Sequence, residues 1–123
     1  MSKLCYCCSE LAFSECCAPY SLNIKNAPTA EVLMRSRYTA YAIQNADYLV
    51  ETTTAATRKF NNKAAVLKWS NGNNWRKLEI LFTSENVVEF KAFYFDHKLQ
   101  LQIHHEKSNF VNEYGQWFYL GVE

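Results

Sequence analysis

At 123 residues the chain has room for one domain and a short appendage, and a hydrophobic share of 49% with 15% aromatics is enough for a core that does not depend on a metal. Its 13 basic and 12 acidic residues are well mixed and leave a net charge of +1. There is therefore no basic stripe to mark a nucleic-acid partner or an acidic membrane surface. No apolar run approaches the roughly 20 residues of a membrane span, and Met1–Ser9 gives one lysine and then cysteines where a secretory signal would be apolar. The expectation is a cytoplasmic protein with no membrane partner.

The five cysteines, Cys5, Cys7, Cys8, Cys16 and Cys17, all fall in the first seventeen residues. Packing alone would scatter them with the other apolar positions. Thiols this close together are tied by disulfides or gathered around a metal, and in a reducing compartment metal is the usual reason. Cys5 and Cys7 can supply one pair of ligands and Cys16 and Cys17 the other, with Cys8 to spare. Four thiolates around zinc make a closed tetrahedral site, structural and not hydrolytic. A redox sensor built on vicinal Cys16–Cys17 and the extra Cys8 is the competing reading.

Residues 1–20 thus read as a Cys-rich knuckle, and Ser21–Ala27 as a polar connector. Thr29 is an N-cap candidate behind Pro28, with Glu31 in the first turn to favour the helix dipole. The helix it opens should end near Asn45. Its apolar stripe is mixed, running through Leu33, Arg37, Ala40 and Tyr41, with Met34 and Tyr38 on an adjoining face. A short helix from Asp47 to about Thr54 and another over Lys63–Trp69 follow, with a break at Asn61–Asn62. Asn71-Gly72-Asn73-Asn74 is the strongest turn signal. Beyond it, alternation predicts strands from Leu78, over Val87–Phe95, over Leu99–Val111 and over Gln116–Val122, the last after a turn at Tyr114–Gly115. Short links between consecutive strands favour an antiparallel meander, and helices followed by strands make the fold α+β.

The run from Cys5 to Cys17 resembles the SEC-C motif, a zinc-binding segment first seen in the SecA preprotein translocase. That motif reads Cys-Pro-Cys-Gly-Ser-Gly, several residues, then Cys-Cys or Cys-His. The match implies Cys5, Cys7, Cys16 and Cys17 as ligands of a structural zinc, with Tyr6, Cys8 and Glu10 replacing the proline and both glycines. The stretch Ala27–Ala42 is similar to a helix of the YchJ-like proteins. Val88–Tyr94, His105–Phe110 and Gly115–Tyr119 are similar to strands of their middle domain. The resemblance implies a nuclear transport factor 2-like (SnoaL-like) cone, with helices packed on a curved antiparallel sheet, over residues 28–123. Such cones often pair as homodimers through the open sheet face.

Within that cone Arg35, Arg37, Tyr38, Tyr41, Tyr94, His105, Glu106 and Trp117 are the pocket candidates, with Tyr119 another aromatic able to line it. An arginine there can grip a carboxylate or phosphate bidentately; the alternative is a structural pair with Glu106. His104-His105-Glu106 looks like a metal or acid–base site. On a strand, however, adjacent residues face opposite ways, so the plainer reading is one polar residue turned inward. Aromatics at this density are also often simply core.

Function is therefore expected to be a zinc-binding, non-enzymatic accessory or interaction module. Its knuckle would dock a protein partner or stabilise the N-terminal segment, the cone would offer a second binding surface open to a small-molecule ligand, and no catalytic residue is assigned. The alternatives are an isomerase- or dehydratase-type enzyme, or a ligand carrier, using the same pocket. A deep pocket with a carboxylate facing a tyrosine or histidine would favour the enzyme.

Overall fold

The computed structural model describes residues 4–22, 26–58 and 62–122. The expected connector and the expected break at Asn61–Asn62 each lie partly outside them. Among the described residues no helix is long and apolar enough to cross a membrane.

The chain opens with a miniature hairpin in which Leu4 bridges Ala12 and the Cys5 amide donates to the Leu11 carbonyl at 2.8 Å. A single 3-10 turn, Phe13–Glu15, leads into the four-residue helix α1, Ala18–Ser21. Helix α2, Ala30–Ile43, begins where the sequence placed it. The Thr29 hydroxyl accepts from the Val32 amide at 3.1 Å, and Gln44 ends the helix in the left-handed conformation. Asn45 caps α3, Ala46–Glu51, in the same way. After the short α4, Ala55–Arg58, Asn62 caps α5, Lys63–Asn71. These Asn and Thr side chains satisfy backbone donors that the first turn of a helix leaves without partners.

Four strands follow: β1, Asn74–Thr83; β2, Val87–Phe95; β3, Leu101–Glu113; and β4, Gln116–Val122. They pair antiparallel in sequence order, as an antiparallel meander requires. Register shifts between Trp75 and Lys77, between Ile80 and Phe82, and at Asn109/Phe110 bend and twist the strands. Tyr114 and Gly115, at φ 55° and 85°, form the two-residue turn that the strand twist prefers, and β4 spans the residues expected of it.

Two strand starts differ from expectation. β1 begins at Asn74, four residues before Leu78, because α5 runs on to Asn71 and only Gly72 and Asn73 lie between helix and strand. The Asn73 side chain donates to the Trp69 carbonyl there. β3 begins at Leu101, not Leu99, because the Asp96 carboxylate accepts from the Lys98 and Gln100 amides and holds a turn with Leu99 at φ 61°.

Helix α2 packs against β1, β2 and β4 on the inner face of the sheet. Leu33, Leu49, Val88 and Phe110 are essentially sealed from solvent, and Cys5, Cys7 and Cys17 belong to the same core. The edge beyond β4 is closed by residues after α3. Thr53 bridges Tyr119 in parallel fashion, the Tyr119 amide donates to Thr52 O at 2.6 Å, and the Thr54 amide donates to Tyr119 O at 3.0 Å. Tyr119 is thereby held from both sides of its backbone, with its side chain turned into the site described next.

Candidate functional site

Two constellations stand out, on different sides of α2. In the first, the ligand atoms of Cys5, Cys7, Cys16 and Cys17 lie within 4.8 Å of one another. The Sγ atoms of Cys7 and Cys16 are 3.6 Å apart, and those of Cys16 and Cys17 are 3.8 Å apart. A tetrahedron of thiolates with Zn–S near 2.3 Å has S···S edges of about 3.8 Å, so the cluster is compatible with metal binding.

Local backbone makes this possible. Cys8 and Glu10 sit at φ 65° and 70°, the left-handed region, at the two positions where the resembled motif carries glycine. The loop keeps its path although the glycines are gone. Cys16 closes the 3-10 turn and Cys17 is the residue before α1, so the second pair is delivered by two successive helix ends.

The surroundings favour thiolates. The Arg35 guanidinium donates to the Cys7 carbonyl at 2.9 Å and reaches its sulfur at 3.8 Å, while also pairing with Glu31 at 3.0 Å. Ser9 Oγ lies 3.1 Å from Cys16 Sγ, and Thr39 Oγ1 lies 3.9 Å from Cys5 Sγ. Groups of this kind orient metal ligands and offset their charge. Without a cation the sulfurs of Cys7, Cys16 and Cys17 perturb one another. Hydrogen bonds from Cys17 and then Cys5 pull the Cys7 thiol far down, burial pushes Cys16 up to about 11, and the hydrogen bond with Cys5, ahead of burial, drives Cys17 higher still. A divalent ion at such a cluster would offset the charge of its thiolates, which is how metal binding and thiol ionisation are linked. Cys8 stands apart and exposed, with its sulfur on the Tyr6 carbonyl at 3.7 Å.

The second constellation is a cavity of about 290 Å³ between α2, α5 and the inner face of the sheet. Its walls are aromatic. Trp75 meets Trp69 at 5.8 Å and Tyr41 at 5.5 Å between ring centres, and Tyr38 stands edge-on to Trp75 at 6.0 Å. The Trp75 indole N–H is buried without a partner among the described residues. At the polar end lies Glu106. Its Oε1 is 2.8 Å from His104 Nε2, and its Oε2 accepts from Tyr119 Oη at 2.8 Å and from Ser108 Oγ. Burial pushes this carboxyl up, but the three hydrogen bonds outweigh it and hold it below the usual carboxylate range. Burial and the neighbouring carboxylate raise the Tyr119 phenol in turn.

Of the pocket residues expected from sequence, Arg37, Tyr38, Tyr41 and Glu106 line this cavity. Arg35 is at the cysteine cluster instead, because two residues along a helix is about 200° of rotation. His105 faces outward and bonds Glu89 at 2.8 Å, Trp117 donates to the Pro28 carbonyl, and Tyr94 stands behind the wall, 4.8 Å from Trp75 and 5.4 Å from Trp69. The expected Arg–Glu106 pair is absent among the described residues. The partner that pairwise inspection of adjacent residues passed over is His104, which shares a face with Glu106 by the same alternation that separates it from His105. Trp69 and Trp75 carried no sequence signal, since their meeting depends on how α5 lies across β1.

Comparison with known proteins agrees with this architecture. A family described as the YchJ middle NTF2-like domain matches residues 29–121. A UPF0225 protein of Actinobacillus succinogenes is 38% identical over 127 aligned residues, covering 98% of this chain and 81% of its own. UPF0225 protein plu2503 of Photorhabdus laumondii is also 38% identical, with coverage of 98% and 80%. The solution structure of RPA3114, a SEC-C motif containing protein from Rhodopseudomonas palustris, superposes with a TM-score of 0.91 at 34% identity, covering 98% of both chains. A crystal structure of a SEC-C motif containing protein from Psychrobacter arcticus gives 0.82 at 30% identity, covering 98% of this chain and 83% of that one. With an NTF2-like domain, a SEC-C-type cysteine cluster and relatives matched along nearly its whole length, the chain belongs to the YchJ-like UPF0225 family.

Proposed function

We propose that this chain is a zinc-braced, non-enzymatic binding protein: zinc on Cys5, Cys7, Cys16 and Cys17 locks the N-terminal lobe onto α2, and the cavity takes a small organic ligand. The observation that carries the reading is the pair of 3.6 and 3.8 Å sulfur separations, which match zinc geometry in a buried, all-thiol set. Four thiolates leave no open coordination position, so the metal supplies structure and no chemistry. A reducing compartment such as the cytoplasm suits such a site.

The enzyme reading has one observation in its favour, a carboxylate facing both a tyrosine and a histidine. The same geometry weakens it. A general base works best with a pKa near the working pH and a lone pair free for the substrate proton. Glu106 is held low and already accepts three hydrogen bonds, which suits a fixed structural anion that orders the polar end of a binding cavity.

Thiol counting tests the brace. In native protein a disulfide reagent should react quickly with one thiol, Cys8, the exposed one, and with four more only after a strong chelator is added. Equal reactivity of all five before chelation would contradict a metal on the other four.

A further inference from the structure

Arg37 is a buried charge whose donors are only partly used. The residue is 6% exposed and lines the cavity. Its Nη1 donates to the Leu49 carbonyl at 2.9 Å, Thr52 Oγ1 at 2.7 Å and Thr53 Oγ1 at 3.2 Å, which anchors it to the end of α3. A guanidinium has five N–H donors. Those on Nε and Nη2 meet no hydrogen-bond acceptor among the described residues. Nε and Nη2 form one planar edge, the fork that fits the two oxygens of a carboxylate.

The neighbouring groups do not meet this demand. Tyr41, Tyr48, Tyr119 and Glu106 are the titratable groups in electrostatic reach of Arg37. Tyr119 offers its ring, 4.7 Å from the guanidinium carbon, and its hydroxyl donates to Glu106. Tyr48 bonds Ser36 at 2.7 Å. Glu106 forms no ion pair with Arg37 and is already satisfied by three donors. What the cavity lacks is an acceptor pair at one end, facing aromatic walls at the other.

We propose that the ligand is a small organic carboxylate, its two oxygens on the Nε–Nη2 edge of Arg37 and its apolar body between Trp69, Trp75 and Tyr38. This rests on the cavity being a ligand site at all. About 290 Å³ is at the small end of ligand pockets, which start near 300 Å³, so the body is a single ring or a short branched chain. A phosphate monoester is disfavoured because it would bring a second negative charge close to ionised Glu106.

The test titrates the full chain with three probes of one shape: benzoate, benzyl alcohol and benzylammonium. Tryptophan fluorescence and the Nε–H resonance of Arg37 are the readouts. Benzoate should bind at least about tenfold more tightly than either of the others, as a charge-assisted fork predicts, and should shift the Arg37 resonance. Arg37→Lys, which keeps the charge and loses the fork, should weaken benzoate by about tenfold or more. If that variant fails to fold, the wild-type series decides. Benzyl alcohol or benzylammonium binding as tightly as benzoate would overturn the carboxylate assignment and leave the cavity as a ligand site. Failure of all three at millimolar concentration would overturn both.

Discussion

Replacing Cys17 by serine should abolish stoichiometric zinc binding and lower the melting temperature by roughly 10 °C. Cys17 is 1% exposed, sits immediately before α1 and touches the core of the domain. A hydroxyl does not ionise as a thiolate does, so three ligands remain and the tetrahedron opens. Metal affinity in such sites is folding free energy, on the order of 10 kcal/mol where the whole fold depends on it. Here most of the core lies in α2, α3 and the sheet, so the loss should be confined to the N-terminal lobe and its contacts with α2. A cost of about 3 kcal/mol corresponds to the stated drop for a domain of this size. Cys8→Ser is the control, because Cys8 is exposed and outside the cluster; its zinc content should match that of the parent. Unchanged zinc in Cys17→Ser, measured by elemental analysis on gel-filtered protein, would contradict the assigned ligand set.

Phe110→Ala should be the most damaging single change in the sheet, at about 3–5 kcal/mol, or roughly 10–20 °C in melting temperature. The ring is 2% exposed on the inner face of β3 and meets the Tyr119 ring edge-on at 5.8 Å between centres. Deleting it leaves a hole that surrounding strands can fill only in part, and domains of this kind carry only about 5–15 kcal/mol in all. The damage should also reach the cavity. Tyr119 is clamped through its backbone by Thr52 and Thr54 and through its hydroxyl by Glu106, and Phe110 is the packing that keeps its ring in place. Denaturant unfolding followed by circular dichroism measures the first effect. A loss below about 1 kcal/mol would show that the core does not depend on this contact.

Much of the framework could be read from local chemistry. Thr29 caps α2 because its hydroxyl accepts from the Val32 amide, and the chain turns at Tyr114–Gly115 because glycine takes positive φ without steric cost. The cysteine cluster was legible for a related reason: its spacing is a property of a short segment, and only local turns are needed to bring Cys5 and Cys7 to Cys16 and Cys17. What the sequence could not supply is long-range placement. Arg35 and Arg37 look alike in the chain, yet one faces the cysteines and the other lies under Tyr119, a difference set by which elements pack on each side of α2. Trp69 and Trp75 meet only after α5 is laid against β1. The left-handed backbone at Cys8 and Glu10 was hidden for the opposite reason, since neither residue type announces it.

Native mass spectrometry of the purified chain, recorded with and without a strong chelator, tests the central claim most directly. The proposed zinc brace predicts one zinc per chain, retained through purification, released only by the chelator and leaving five free thiols. A metal-free chain carrying free thiols or a disulfide before any chelator is added would contradict it.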